Sequence, residues 1–347
     1  MKVTDFDFHL PQHLIAQSPA SPRDSSKLMI LDNNGISHGI FHDLPDLLKP
    51  GDLLVLNESR VIPARLLGTK ITGGKVEVLL VKRFKENRYE CLVKGRIKEG
   101  GIINFDNGIT GTVLEKVASD TGYRYNLTFQ CNGTLEDHLQ EIGIMPLPPY
   151  IKEHLDDDES YQTVYSNNKG SIAAPTAGLH FTQELLARIR NRGAKLACIT
   201  LHVGIGTFMP VRAENVEEHT MESEYFIIDQ VAADLINETT MNKGRIIVVG
   251  TTSVRALESA NWKNGNILPS EGYSEIFIYP PHEFNTPISA LITNFHLPKS
   301  TLLMLVCAFI GKETIMNAYQ EAINNVYRFY SFGDAMLIMN NHEVKHV

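Results

Sequence analysis

Apolar and polar positions follow two different rhythms along this chain, and the change of rhythm divides it. In residues 1–58 short apolar runs alternate with polar turns. Residues 14–16 and 44–48 read as short helices, 28–31 as a strand and 51–57 as a buried strand. Between about Val61 and Met145 a period of two takes over. Residues 75–81, 89–93, 102–105, 111–117 and 123–130 are each bounded by Gly-rich or Asp-Asn-Gly turns, as short antiparallel strands are. From about Tyr161 onward strand and helix patterns alternate, with strands at 195–203, 245–249 and 290–293 and helices after Thr182, from Val254 and at 301–310. The expected architecture is an α/β main domain with a largely parallel sheet, residues 1–60 and 146–347, carrying residues 61–145 as an inserted small all-β, barrel-like domain.

Composition narrows the class. A chain of 347 residues, 43% of them hydrophobic, has enough apolar surface for a real core. The most hydrophobic piece, residues 302–310, is far short of the roughly twenty residues of a membrane span. Residues 1–10 mix charges with aromatics and lack the apolar centre of a signal peptide, so a cytoplasmic protein is expected. Cys91, Cys131, Cys198 and Cys307 stand singly, which argues against a disulfide framework or a thiolate zinc site.

The net charge of −8 gives no global attraction to nucleic acid. Yet residues 60–100 carry eleven Lys or Arg against four Glu, so a basic face lies within the β segment. Solvated strand faces account for it as well as a phosphate-binding surface does. The candidate phosphate contacts are Arg60, Arg65, Lys82, Arg83, Lys85, Arg88, Lys94 and Arg96.

Candidate chemistry concentrates in the loops that follow the later strands. Ala173-Ala174-Pro175-Thr176-Ala177-Gly178-Leu179-His180-Phe181-Thr182 contains residues that suit an ordered loop, and a helix follows it. His202-Val203-Gly204-Ile205-Gly206-Thr207, Gly250-Thr251-Thr252-Ser253 and Asn294-Phe295-His296 repeat the layout. In open α/β sheets, ligands bind outside the carboxyl ends of the strands. Gly250-Thr251-Thr252-Ser253, followed by a helix, offers N–H groups and hydroxyls to an anion, although neither a Walker loop nor a dinucleotide fingerprint is present.

His180, His202 and His296 suit acid–base or ligand-positioning roles. Structural hydrogen bonding and a three-histidine metal site are the alternatives, and no His-x-His or His-x-x-x-His pairing supports a metal. Arg255 and Glu258, three apart on one helix, either pair with each other or leave Arg255 for an anionic ligand group. The aromatic run Tyr327-Arg328-Phe329-Tyr330-Ser331-Phe332 suits core packing or a base-stacking wall.

Longer motifs carry a resemblance. Asn57-Glu58-Ser59-Arg60-Val61-Ile62-Pro63-Ala64-Arg65, Met145-Pro146-Leu147-Pro148-Pro149-Tyr150-Ile151 and Tyr161-Gln162-Thr163-Val164-Tyr165-Ser166 are similar to segments of the S-adenosylmethionine:tRNA ribosyltransferase-isomerases of the queuosine pathway. So are residues 173–181, 200–208, 249–258, 293–305 and 327–335, and the resemblance spans nearly the whole chain. Glu222, Pro281 and Ser289 stand where the family commonly has other residues, so no catalytic role is assigned to them.

The resemblance implies an α/β domain with an inserted β-barrel and a specific reaction. The ribosyl part of S-adenosylmethionine is transferred to 7-aminomethyl-7-deazaguanine at the wobble position of a tRNA and rearranged, giving epoxyqueuosine and releasing adenine and methionine. S-adenosylmethionine is then a co-substrate, with no separate cofactor, no metal and no membrane implied, and a monomer is expected. Such chemistry needs a base beside the sulfonium, a proton donor for adenine and exclusion of water. The candidate proton-handling residues are His180, His202, His296, Glu224 and Glu258. Thr176, Gly178, Gly204, Gly206, Thr207, Thr251, Thr252, Ser253, Arg255 and Asn294 are the candidate substrate contacts. The competing classes are a metal-dependent hydrolase built on the loop histidines and a non-catalytic tRNA-binding protein.

Overall fold

The computed structural model describes residues 1–340 apart from 120–121, 154, 156 and 209–210, so the last seven positions of the expected main domain lie outside the described residues. The chain forms two compact units. One comprises Met1–Arg60, Pro149–Asn168 and the chain from Ala174 onward; the other comprises Val61–Pro148 and Lys169–Ala173.

The first unit is built on a nine-stranded sheet. Its centre is parallel: Lys195–Leu201, Leu53–Asn57, Ile246–Val249 and Ile288–Asn294 lie side by side in that order. These strands are apolar on both faces, as parallel strands covered by helices must be. Toward the margins the sheet turns antiparallel. Glu224–Ile228 and Ser270–Ser274 extend one side, and Ala335–Met339 runs antiparallel to Ile288–Asn294 on the other. Lys27–Asp32 lies parallel to Ala335–Met339, and Gly35–Ile40 closes the edge. The sheet is therefore mixed, with four parallel strands at its centre and one further parallel pair, of opposite direction, toward one margin.

That reversal decides what reaches the active edge. The carboxyl ends of the four parallel strands share one edge, where loops 202–207, 250–252 and 294–300 emerge. Because Ala335–Met339 and Lys27–Asp32 run the other way, their amino ends come to the same edge, with Tyr330, Ser331 and Ser26 just before them.

Local chemistry explains the helices. Thr182 caps Gln183–Asn191 by accepting a hydrogen bond from the Leu185 N–H at 3.0 Å, and Leu185, Leu186 and Ile189 bury one face. Ser300 caps Thr301–Ile310 in the same way. Gly250, at φ +88°, turns the chain from strand Ile246–Val249 into helix Thr251–Ser259, which begins three residues earlier than its apolar pattern indicates. Among the described residues no single helix is long and apolar enough to cross a membrane.

The second unit is a six-stranded antiparallel barrel. Arg65–Lys70, Lys75–Lys85, Arg88–Lys94, Gly122–Gln130, Thr110–Ser119 and Ile102–Asn104 pair in that order, and Ile102–Asn104 closes back onto Arg65–Lys70. Alternate residues such as Val76, Val78 and Leu80 fill its core, together with Leu135 and Leu139 from helix Leu135–Ile142, an element the period-two reading does not foresee. Strand Lys75–Lys85 outruns that alternation: Lys82, Arg83, Phe84 and Lys85 are all exposed, and its register with Arg88–Lys94 shifts twice over this end.

Candidate active site

At the carboxyl edge of the parallel strands, where open α/β sheets bind their ligands, the first unit holds a cleft. Thr176, Thr207, Thr251, Thr252, Asn294 and His296 line it, all expected from the loop motifs. Tyr150, Tyr330, Ser331, Val203 and Leu302 are also on its wall.

The aromatic side is rigidly built. The Tyr150 and Tyr330 rings lie with centroids 4.6 Å apart, and the Tyr150 hydroxyl is 2.5 Å from Ser331 Oγ. Burial pushes the Tyr150 phenol up to about 12, so it is protonated at neutral pH. Tyr330 sits at φ +75°, a costly conformation for a non-glycine residue, held by its N–H bond to the Phe295 carbonyl and by its own carbonyl accepting from the Gly333 N–H. Tyr150 was not predicted as a site residue. Its only signal is its place in the Met145-to-Ile151 motif.

The start of helix Thr251–Ser259 also lies at the cleft, with both threonines on its wall. Buried Asn57 braces it: Nδ2 donates to the Leu201 carbonyl at 3.0 Å and reaches Thr252 Oγ1 at 3.5 Å, while Oδ1 accepts from the Leu201 N–H. Ser253 is turned away, donating to the Val249 carbonyl.

The three histidines do not share one wall. His296 lines the cleft, with Nε2 2.8 Å from Thr293 Oγ1, and among the described residues its Nδ1 has no protein partner. Burial pushes its pKa down to about 3. His180 stands behind the wall, stacked on Phe41, with ring nitrogens near Ser26 and Asn294. His202 stacks on Tyr225 outside the cleft lining, and burial lowers its pKa. Its Nδ1 is buried without a hydrogen-bond partner among the described residues. No group of three or more His, Cys, Asp or Glu among the described residues is placed to hold a metal ion.

Several expected contacts are structural instead. Arg255 and Glu258 do not pair with each other. Arg255 is sequestered in a buried ion pair with Glu224 and is held by the carbonyls of Ile276 and Ser274, so it does not reach the cleft. Glu224 in turn accepts from the Gly204 N–H at 2.8 Å and from Thr207 Oγ1 at 3.4 Å, and thus pins the loop that carries Thr207 to the cleft. Glu258 accepts from the Asn285 and Thr286 N–H groups and lies 3.3 Å from His282, which folds the 282–286 loop. Gly178 is required for space, since a Cβ there would come within 2.1 Å of the Tyr165 hydroxyl. Gly206 backs onto Glu222 in the same loop as Gly204.

The basic candidates are partly engaged as well. Arg60 pairs with Glu159, Arg65 lies 3.5 Å from Glu77, and Arg83 lies 2.8 Å from Glu136. Arg88 is half-buried, whereas Lys82, Lys85, Lys94 and Arg96 are exposed.

Comparison with known proteins then decides the family. A profile of the family described as "Queuosine biosynthesis protein" matches residues 3–338. The chain belongs to this family. It is 53% identical over 344 residues to the S-adenosylmethionine:tRNA ribosyltransferase-isomerase of Clostridioides difficile (strain 630), covering 97% of this chain and 100% of that protein. It is 50% identical over 345 residues to the protein of the same name from Desulforamulus reducens, with 98% and 100% covered. A crystal structure of an S-adenosylmethionine tRNA ribosyltransferase from Thermotoga maritima is 38% identical, with a TM-score of 0.55 over 96% of this chain and 100% of that one. For a member of the queuosine biosynthesis family, the cleft at the parallel strand ends is the candidate active site.

Proposed function

We infer that this chain is a transferase of queuosine biosynthesis, an S-adenosylmethionine:tRNA ribosyltransferase-isomerase acting on S-adenosylmethionine and tRNA. The observation that carries this reading is its identity of 53% and 50%, over nearly the full length, to relatives of that name. The finer reading takes the acceptor as the aminomethyl group of 7-aminomethyl-7-deazaguanine at the tRNA wobble position, the product as epoxyqueuosine, and the location as the cytoplasm. S-adenosylmethionine is the ribosyl donor and the protein needs no separate cofactor.

Within the cleft, the start of helix Thr251–Ser259 suits the methionine carboxylate, because unpaired N–H groups and threonine hydroxyls meet there. The Tyr150–Tyr330 wall suits a stacked nucleobase. His296 is the one imidazole among the lining residues and takes the proton-handling role. When Nε2–H is donated to Thr293, the Nδ1 lone pair is left for the ligand.

Incubation with S-adenosylmethionine and tRNA bearing the aminomethyl precursor should release adenine and methionine in equal amounts. His296→Ala should lower kcat by roughly 10²–10⁴-fold, the usual range for general acid–base catalysis. No adenine above a protein-free control would overturn the reaction. Wild-type turnover in His296→Ala would remove the residue from the chemistry.

The exposed end of strand Lys75–Lys85 is the proposed phosphate-binding face. Lys82→Glu together with Lys85→Glu should weaken tRNA binding and make the slope of log K against log salt shallower by about 1.5, at 0.7–0.9 per lost contact. An unchanged slope in filter-binding titrations would place the tRNA surface elsewhere.

A further inference from the structure

From the cleft wall a chain of hydrogen-bonded side chains runs back into the first unit. The Thr176 hydroxyl, on the wall, donates to Asn294 Oδ1 at 3.2 Å. Asn294 Nδ2 lies 3.1 Å from His180 Nε2, and His180 Nδ1 lies 2.8 Å from Ser26 Oγ. Three of the four residues, His180, Asn294 and Ser26, are buried. They come from the Thr176–His180 turn, the end of strand Ile288–Asn294 and the residue preceding strand Lys27–Asp32.

The bond directions follow from what each atom can do. With the Asn294 amide oriented as it stands, its NH₂ can only donate, so His180 Nε2 must accept. A neutral imidazole that accepts at Nε2 carries its proton on Nδ1, which donates to Ser26 Oγ. The Thr176 proton is committed to Asn294, which leaves the Thr176 oxygen only lone pairs to offer the cleft. A protonated His180 would set two N–H donors against each other at Asn294. Burial, which pushes the His180 pKa down to about 3, opposes that state.

We propose that His180 is a positioning residue: by accepting from Asn294 it fixes the amide, and through it the Thr176 hydroxyl, as a hydrogen-bond acceptor for a hydroxyl or amino proton of the bound substrate. The proposal rests on the ribosyl-transfer reading and deepens it, since it assigns this point of the cleft to a protic group of the substrate. It also removes His180 from proton transfer, because the ring lies outside the cleft lining and both of its nitrogens are occupied.

The test uses adenine release from S-adenosylmethionine and precursor tRNA, with the wild type measured first so that a failure of the reaction is distinguished from a failure of the relay. With an active wild type, His180→Gln places an amide oxygen where Nε2 was and should retain turnover within about fivefold. His180→Asn, which reaches only the Nδ1 position, and Thr176→Val should each lose about ten- to thirtyfold in kcat/KM for S-adenosylmethionine. The double variant His180→Asn/Thr176→Val should be no worse than Thr176→Val alone, because the two act in series. The acidic limb of the pH–rate profile should be the same in His180→Gln as in the wild type. A folded His180→Gln as inactive as His180→Asn, loss of that acidic limb, or losses that multiply in the double variant would each overturn the proposal. Should His180→Asn not fold, His180→Gln, Thr176→Val and their double variant decide it by the same criteria.

Discussion

Arg255→Ala should destabilise the first unit by about 3–5 kcal/mol, the usual consequence of removing one partner of a buried ion pair. Arg255 and Glu224 side chains are each only 3% exposed, so neither charge has water to fall back on. Without the guanidinium, Glu224 keeps the Gly204 N–H and Thr207 hydroxyl but loses its countercharge, and the carbonyls of Ile276 and Ser274 lose their donors. The damage should extend to function. Glu224 holds the loop that brings Val203 and Thr207 to the cleft, so kcat/KM should fall although Arg255 itself touches no substrate.

Urea unfolding followed by tryptophan fluorescence reads this directly. Trp262 is the single tryptophan and donates to the Leu257 carbonyl at the end of the same helix as Arg255. A contrast is provided by Lys195, whose pair with Glu238 is exposed; Lys195→Ala should change stability by no more than about 1 kcal/mol. Equal effects of the two substitutions would mean that burial does not govern the Arg255–Glu224 pair.

Acid should destabilise the same unit strongly, beginning near the ordinary pKa of histidine. His180 and His296 are buried neutral, each with a pKa near 3 against about 6.5 in the unfolded chain. The unfolded chain therefore binds two protons that the folded one refuses. Stability contributed by these groups is complete above pH about 6.5 and declines as pH falls through the window from about 6.5 to 3, at about 1.4 kcal/mol per unit for each. By pH about 4.5 the combined loss reaches roughly 5 kcal/mol.

Carboxylates contribute their own acid dependence, so the informative quantity is a difference between variants. The pair His180→Gln and His296→Gln, combined in one protein, should flatten the slope of stability against pH between about 6.5 and 4.5 by up to two protons. Unchanged slopes would mean that the two rings take up protons in the folded state.

Much of this architecture is legible in the sequence because it is local. A period of two bounded by glycine turns can only bury one face of a strand, and this marks out the barrel. Thr182 announces its helix because a cap needs only the next turn of chain. The loops around Thr176, Thr207, Thr252, Asn294 and His296 were recognisable from small and polar residues at strand ends, and they do meet at one cleft.

What the tertiary structure alone decided is which of those residues face the ligand and which face each other. Side chains that look equivalent in sequence, such as His180 and His296, differ because one stands behind the wall with both nitrogens engaged while the other lines it. Arg255 pairs with a carboxylate thirty-one positions away, a choice set by strand order and not by helical spacing. Ser26 and Tyr330 reach the site only because two strands reverse direction in the sheet. Periodicity records which side of an element is buried, whereas the partner met on that side depends on pairing between distant segments, and only the assembled sheet contains it.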